Sequence, residues 1–178
     1  MEELSLHILD LIENALAAGA KSIEICINED TGQDELRLEV RDNGRGLTPE
    51  ASAGVMSPFY TSRTTRRVGL GLPLLKATAE ACEGGISLES EAGRGTTVAA
   101  WMRLSSVDRP PLGDIGASLA AALARQDPPK LVYRHYRDGR QFRFSSKELE
   151  EELGVIPLQE GLVLNWLRQY INEQVNGL

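Results

Sequence analysis

The chain has 178 residues, 42% hydrophobic and 25% charged, which is enough to bury one large core, or one core and a small appendage. Its net charge of −7 argues against nucleic acid or an anionic membrane as the main partner. Cys26 and Cys82 show no metal or redox spacing and lie in apolar-patterned segments, so both are predicted to be buried, reduced thiols. With no signal peptide and no apolar run of about 18 residues, we expect a cytoplasmic protein.

The first 104 residues predict a helix, a strand hairpin, a long loop, a second helix and a second hairpin. Apolar residues at spacings of three and four predict the first helix from about Glu3 to Ala18. Helical spacing returns near Leu72 and ends at Gly84-Gly85. The predicted strands alternate apolar and polar residues and are Ile23–Ile27, Leu36–Val40, Ile86–Ser90 and Thr96–Leu104.

The segment "SSVDRPPLG", residues 105–113, has neither the helical nor the strand periodicity of apolar residues. It predicts a linker between residues 1–104 and a small α+β region, residues 114–178. The last helix has an apolar stripe, which docks either on its own domain, the alternative we favour, or on a second copy in a homodimer. Ser145 and Glu148 have the spacing of a capping box. The predicted elements of this region are a helix at Asp114–Arg125, strands at Leu131–Arg137 and Arg140–Phe144, a short helix ending at Gly154 and a helix at Gly161–Val175.

A polar stripe interrupts the first helix. Steps of four, three and four place Glu3, His7, Asp10 and Asn14 on one side, with Glu13 beside them. A buried, unpaired carboxylate costs several kcal/mol, so a cation or an open cleft beside the stripe is the easier solution. Such oxygen ligands suit Mg²⁺ that is held mainly by phosphates and water.

Two glycine-rich segments bracket the long loop. In "DNGRGL", Asp42 ends a strand and could accept a hydrogen bond from an exocyclic amine, although such clusters also form ordinary turns. In "VGLGLPLLK", a glycine bend enters a helix, and free N–H groups at a helix start favour phosphate. The loop "PFYTSRTTRR" between them supplies hydroxyls and arginines that could close over a polyphosphate.

In this order, the asparagine-bearing helix, "DNGRG", the phenylalanine-containing loop, "GLGL" and "GRGT" resemble the GHKL ATP-binding superfamily over about residues 3–104. That superfamily includes DNA gyrase, heat-shock chaperones, histidine kinases and MutL. The resemblance implies an α/β fold, an α+β sandwich of the Bergerat type, with helices on one face of a mixed sheet. It also implies that ATP and Mg²⁺ bind between the helices and a lid.

The resemblance assigns roles to residues. Asn14 is similar to the amide that contacts Mg²⁺, and Asp42 to the aspartate that reads the adenine amine, with Thr96 nearby through water. Gly44 and Gly46 would make room for the nucleotide. The remaining implied nucleotide contacts are Phe59, Thr61, Ser62, Arg63 and Thr64 in the lid (Phe59 to Arg67), and Gly69, Leu70, Gly71 and Leu72 in the second glycine box at the phosphates.

The resemblance is divided between two branches. The lid and second glycine box resemble histidine kinases, whereas "IENALAAGAKSIEI" resembles MutL. Asp10 lies where MutL-like ATPases and anti-sigma serine kinases carry a glutamate, and such a carboxylate can deprotonate a nucleophile. Because Asp is shorter than Glu, Glu13 is the alternative base. No residues precede Met1 to form a phospho-acceptor hairpin, and we expect His7 to orient Asp10 or to pack rather than to accept phosphate.

Three functions stay open at this point. The first is an ATP-gated regulatory module with slow hydrolysis, acting on an unknown partner protein. The second is a protein kinase that acts in trans on a histidine or serine of a partner, and the third is a nucleotide-binding scaffold without turnover. The basic predicted hairpin and the acidic segment that follows it are either a partner surface or ordinary solvated charges.

Overall fold

A computed structural model describes residues 3–51 and 71–178 of the chain. Its centre is a six-stranded mixed sheet in the order β3-β4-β2-β1-β5-β6, in which β1 and β5 are parallel and the other pairs antiparallel. The elements are α1 (Leu4–Ala17), β1 (Ser22–Asp30), β2 (Glu35–Asp42), α2 (Gly71–Ala81), β3 (Gly85–Glu91), β4 (Gly95–Arg103), α3 (Ile115–Leu123), β5 (Lys130–Arg137), β6 (Arg140–Ser145), α4 (Ser146–Leu153) and α5 (Gly161–Asn176).

The two-residue alternation of the strands decides which face of the sheet is covered. Ile23, Ile25 and Ile27 of β1 are buried, whereas Glu24 between them is exposed. The apolar side of α1 packs into the same core through Ile8 and Ile12. The predicted α/β fold, a mixed sheet with helices, is therefore confirmed, and the strands predicted in both halves of the chain are present.

The C-terminal strands extend the same sheet. β5 lies parallel to β1, with Ile23 opposite Leu131 and Ile27 opposite His135. α1 is also bound to this part of the chain, because Leu4 N donates to the Pro111 carbonyl at 2.9 Å. The division into residues 1–104, a linker at 105–113 and a region at 114–178 stays a prediction.

Two local predictions are wrong. Cys26 is only half-buried, because it lies on the same side of β1 as exposed Glu24, whereas Cys82 is fully buried as expected. Ser145 occupies the N-cap position of α4 but makes no side-chain capping bond. The expected partner in the capping box, Glu148, instead pairs with Arg143, whose Nη1 lies 2.8 Å from both carboxylate oxygens.

The last helix docks on its own chain, as favoured from the sequence. Leu167, Ile171 and Val175 are buried, and α5 packs mainly against α3. The predicted stripe is divided, however, because Leu162 and Trp166 face outward. Within the described residues, no helix is both long and apolar enough to cross a bilayer.

Candidate functional site

The start of α2 lies directly against Asp10 of α1. A Cβ atom added at Gly71 would lie 3.0 Å from Asp10 Oδ2 and 3.1 Å from Asp10 Cβ, so a larger residue at position 71 would require the Asp10 side chain to shift. The fold therefore brings the first polar helix and the second glycine box together, although they are about 60 residues apart in sequence.

Asp10 and Glu13 point to different surroundings. Asp10 is half-buried, and burial raises the pKa of its carboxyl group, with the charge of Glu13 as a second cause. Glu13 is exposed and pairs with Arg125, whose Nη1 lies 3.2 Å and 3.3 Å from its two carboxylate oxygens. Of the two candidate bases, Asp10 is thus the one beside the glycine box, whereas Glu13 contacts the C-terminal part of the chain.

Asp42 lies at the end of β2, beside Thr96 at the start of β4. Its Oδ1 accepts a hydrogen bond from the Gly44 amide at 2.7 Å. Burial raises the pKa of the Asp42 carboxyl, and hydrogen bonds from the Gly44 and Thr96 amides oppose that shift. The structure thus places the predicted adenine-reading pair, Asp42 and Thr96, at adjacent strand ends.

The "DNGRG" loop is packed closely on its neighbours. A Cβ atom at Gly44 would lie 2.9 Å from both Ala18 Cβ and Asp42 Oδ1, and Arg45 N donates to the Ala18 carbonyl at 2.9 Å. Gly46 has φ +65°, and a Cβ atom there would collide with the Glu91 backbone. Packing alone therefore requires both glycines, and their role in making room for a nucleotide stays a prediction.

Asn43 and Ser90 also hold the strand ends around Asp42 and Thr96 in place, and neither was predicted from the sequence. Asn43 Oδ1 accepts hydrogen bonds from the Lys21 and Ser22 amides, each at 2.8 Å, and so ties the end of β2 to the start of β1. Ser90 Oγ lies 2.8 Å from Thr96 Oγ1 and accepts from the Leu47 amide at 2.8 Å. An Asn directly after a strand is a turn signal that could have indicated the first role; nothing in the local pattern indicates the second.

The two histidines are buried in the core. His7 Nε2 lies 3.3 Å from Thr78 Oγ1 on α2, and Nδ1 has no hydrogen-bond partner among the described residues. Burial lowers the pKa of His7 to about 4, so the imidazole is neutral at pH 7. His135 lies between Glu29 Oε1 at 2.8 Å and the Tyr133 hydroxyl at 2.9 Å. These contacts favour packing over an Asp10-orienting role for His7.

Other predicted contacts fall outside the part of the chain that the structure describes. These are Phe59, Thr61, Ser62, Arg63, Thr64, Gly69 and Leu70, together with the remainder of the predicted lid. Leu72, at the start of α2, is within the described part and is buried in the core. Asn14 lies half-buried in the last turn of α1, one helical turn after Asp10.

A family model described as Histidine kinase-, DNA gyrase B-, and HSP90-like ATPase matches residues 2–106, more than half of the chain. The chain belongs to this ATPase family. The matched span includes α1, the "DNGRG" loop, the start of α2 and β4, and therefore every element of the candidate site.

The relatives of this ATPase-family chain include a bacterial sensor protein kinase, a probable sensor kinase and a sensor protein. It is 39% identical over 89 residues to the sensor protein kinase FleS of Pseudomonas aeruginosa, covering 50% of this chain and 22% of FleS. It is 33% identical over 99 residues to a probable C4-dicarboxylate sensor kinase of Halalkalibacterium halodurans, covering 52% and 18%. It is 33% identical over 102 residues to the sensor protein SrrB of Staphylococcus aureus, covering 54% and 18%. The chain thus spans about a fifth of the length of these relatives.

Proposed function

We propose that this chain is an ATP- and Mg²⁺-binding regulatory module that hydrolyses ATP slowly and acts on a partner protein. The observation that carries the proposal is the direct contact between Asp10 and Gly71, because it joins a carboxylate to a helix start that suits phosphate. Asp42 and Thr96 lie at neighbouring strand ends, and the loop after Asp42 packs on Ala18 at the end of α1, which supports an adenine position near that end of the helix. A cytoplasmic location and a homodimer stay predictions.

In this proposal, some residues bind the nucleotide and Asp10 takes part in the reaction. Asp42 accepts a hydrogen bond from the adenine amine, and Thr96 contacts adenine through water. The N–H groups at the start of α2 bind phosphate oxygens. ATP supplies the phosphoryl group: a water oxygen bonds to the γ-phosphorus, the bond to the β–γ bridging oxygen breaks, and ADP and phosphate leave. Asp10 takes the proton from that water.

The residues present fit a magnesium ion that enters with the nucleotide. Within residues 3–51 and 71–178, no group of three or more His, Cys, Asp or Glu side chains is placed to hold a metal ion. Mg²⁺ usually keeps several waters and binds substrate phosphates, with few protein ligands. The Asn14 amide oxygen would be the protein ligand, so metal affinity should depend strongly on ATP.

ATP binding and phosphate release by the full chain test the proposal. Wild-type protein should bind ATP with Mg²⁺ and release phosphate slowly. Asp42→Asn should bind ATP much more weakly, whereas Asp10→Asn should still bind ATP but release little phosphate. Glu89→Gln, on the exposed side of β3, is the matched charge-removing control and should behave as wild type. Normal ATP binding by Asp42→Asn would show that the proposed site is wrong.

A protein kinase acting in trans on a histidine or serine of a partner is the second candidate. It is favoured by two of the relatives, the sensor protein kinase FleS and the probable C4-dicarboxylate sensor kinase. Transfer of label from γ-labelled ATP to a candidate partner, with the label lost in Asp42→Asn, would support this candidate. Retained ATP binding with neither phosphate release nor transfer would leave a non-catalytic scaffold.

A further inference from the structure

A row of three polar side chains crosses the sheet at the proposed adenine position. In the strand register, Asp42 of β2 lies opposite Thr96 of β4, and Thr96 lies opposite Ser90 of β3. Residues that lie opposite one another project from the same face of a sheet, and all three are half-buried on the side that carries the buried Val40 and Val98. Thr96 therefore lies between the proposed adenine-reading carboxylate and the Ser90 hydroxyl.

The Ser90 hydroxyl has three polar contacts, which together determine where its single proton goes. The Leu47 amide donates to Ser90 Oγ at 2.8 Å. The Gly95 carbonyl oxygen lies 3.1 Å from Ser90 Oγ, and Thr96 Oγ1 lies 2.8 Å from it. A carbonyl oxygen can only accept, which assigns the Ser90 proton to Gly95 and makes the Thr96 hydroxyl the donor to Ser90 Oγ. With its proton used in this way, Thr96 Oγ1 offers lone pairs to a ligand.

Asp42 offers acceptors to the same space. Its Oδ1 accepts from the Gly44 amide at 2.7 Å, and an ionised carboxylate has no proton to donate. The neighbouring Asp42 and Thr96 side chains thus both act as acceptors. A water molecule between Thr96 and adenine would donate one proton to Thr96 Oγ1, and its second proton would be directed to an acceptor on the base.

We infer that Ser90 is a positioning residue for nucleobase recognition: it holds the Thr96 hydroxyl as an acceptor and so orients a water that donates to an adenine ring nitrogen. That nitrogen is N1 or N7, the two ring acceptors that flank the 6-amino group. The inference rests on the proposed function, because it requires adenine beside Asp42 and Thr96. It deepens that function by giving base recognition to a residue that acts only through Thr96.

A positioning role and a merely structural role of Ser90 have different consequences for binding. Ser90 also accepts from the Leu47 amide, so its removal could loosen the loop after Asp42. A loosened loop would weaken the binding of every adenine nucleotide by the same factor. Without Ser90, however, the Thr96 hydroxyl is free to rotate and no longer orients the water. Binding is then weakened only for nucleotides that have the ring nitrogen.

Calorimetric titration of the full chain with ATP, 1-deaza-ATP and 7-deaza-ATP, each with Mg²⁺, tests the inference. Each analogue keeps the 6-amino group but has a C–H group in place of one ring nitrogen. Wild-type protein should bind one of the two analogues about threefold or more weakly than ATP, as expected for the loss of one hydrogen bond. In Ser90→Ala, the Kd values of ATP and of that analogue should become equal.

Further variants separate the hydroxyl of Ser90 from the packing of β3. Thr96→Val should also make the two Kd values equal, and adding Ser90→Ala to Thr96→Val should change their ratio no further. Ser90→Cys keeps a small side chain that forms only weak hydrogen bonds, so it should act like Ser90→Ala even if alanine disturbs the fold. Ser87→Ala, on the opposite face of β3, is the matched control and should keep the wild-type ratio.

Three results would overturn the inference. The first is equal binding of ATP and both analogues by wild type, and the second is a wild-type ratio in both Ser90→Ala and Ser90→Cys. The third is a further change of the ratio when Ser90→Ala is added to Thr96→Val, because Ser90 would then act without the Thr96 hydroxyl. All three leave ATP binding itself in place, which Asp42→Asn tests separately. Wild-type protein that binds no ATP would overturn the proposed function and this inference together.

Discussion

Asp10 is the residue whose chemistry depends most on its neighbours. Burial beside Gly71 raises the pKa of its carboxyl, and the charge of Glu13 on the same helix adds to that shift. Arg125 is paired with Glu13, and we expect its positive charge to oppose the effect of Glu13 on Asp10.

We predict that the rate of ATP hydrolysis falls as the pH is lowered, because the base must be ionised. The midpoint of this fall, the acid limb of the pH profile, should lie above the usual Asp pKa of 3.8, because the pKa of Asp10 is raised. Glu13→Gln should move this acid limb to lower pH, and Arg125→Gln should move it to higher pH. Asp10→Asn should slow hydrolysis by about 10²-fold or more. Initial rates of phosphate release as a function of pH measure all three effects.

Hydrolysis by Asp10→Asn at the wild-type rate would exclude Asp10 as the base. An acid limb that is identical in wild type, Glu13→Gln and Arg125→Gln would show that the charge of Glu13 does not change the pKa of the catalytic base. The Glu89→Gln control should leave the limb in place, because Glu89 lies on the exposed side of β3.

Among the secondary-structure elements, the junction of β6 and α4 is stabilised by Ser146, one position after the predicted cap Ser145. Ser146 Oγ accepts a hydrogen bond from the Leu131 amide at 2.9 Å, in a buried contact between the start of α4 and β5. Ser145 is also buried, yet its side chain makes no capping bond. Removing the Ser146 hydroxyl would leave a buried amide without its acceptor.

We predict that Ser146→Ala lowers the free energy of unfolding by about 1–3 kcal/mol, the cost of leaving a buried N–H unsatisfied. Ser145→Ala is the matched control and should change it by less than about 1 kcal/mol, because no side-chain cap is lost. Urea unfolding followed by circular dichroism measures both values. A larger loss in Ser145→Ala would show that the hydroxyl at position 145 caps α4 in solution.

At the scale of the whole molecule, residues 105–178 complete the sheet that positions the site. Strand β1 pairs with β2 on one side and with β5 on the other. α1 is held at its start by hydrogen bonds from the Leu4 and Ser5 amides to the Pro111 and Leu112 carbonyls. It is also held near its end by the ion pair between Glu13 and Arg125.

We predict that a fragment of residues 1–104 is much less stable than the full chain and tends to aggregate. Its β1 would become an open edge strand, and the apolar side of α1 would lose its cover from α3. Thermal unfolding and size-exclusion chromatography of the fragment and the full chain test this. A monomeric fragment with the melting temperature of the full chain would instead support an independent domain ending at residue 104.

The strands, the first helix and the family could be predicted from the sequence because they depend on short-range periodicity and on motif order. Alternating isoleucines predicted β1, and the ordered glycine motifs predicted an ATPase-family fold. Local patterns do not determine which distant segments meet. They therefore missed that β5 pairs with β1 and that Glu13 contacts Arg125. The half-buried position of Cys26, by contrast, follows from the alternation of β1, because Ile25 and Ile27 on either side of it face the core.

The residue types available at the site follow from the amino-acid sequence alone: a carboxylate and an amide one turn apart, an aspartate at a strand end, and two glycine bends. That Asp10, rather than Glu13, lies beside Gly71 depends on tertiary packing. Because the two residues are three positions apart, their side chains leave α1 about 60° apart, and the packing of α2 and α3 against α1 selects the carboxylate that faces each of them.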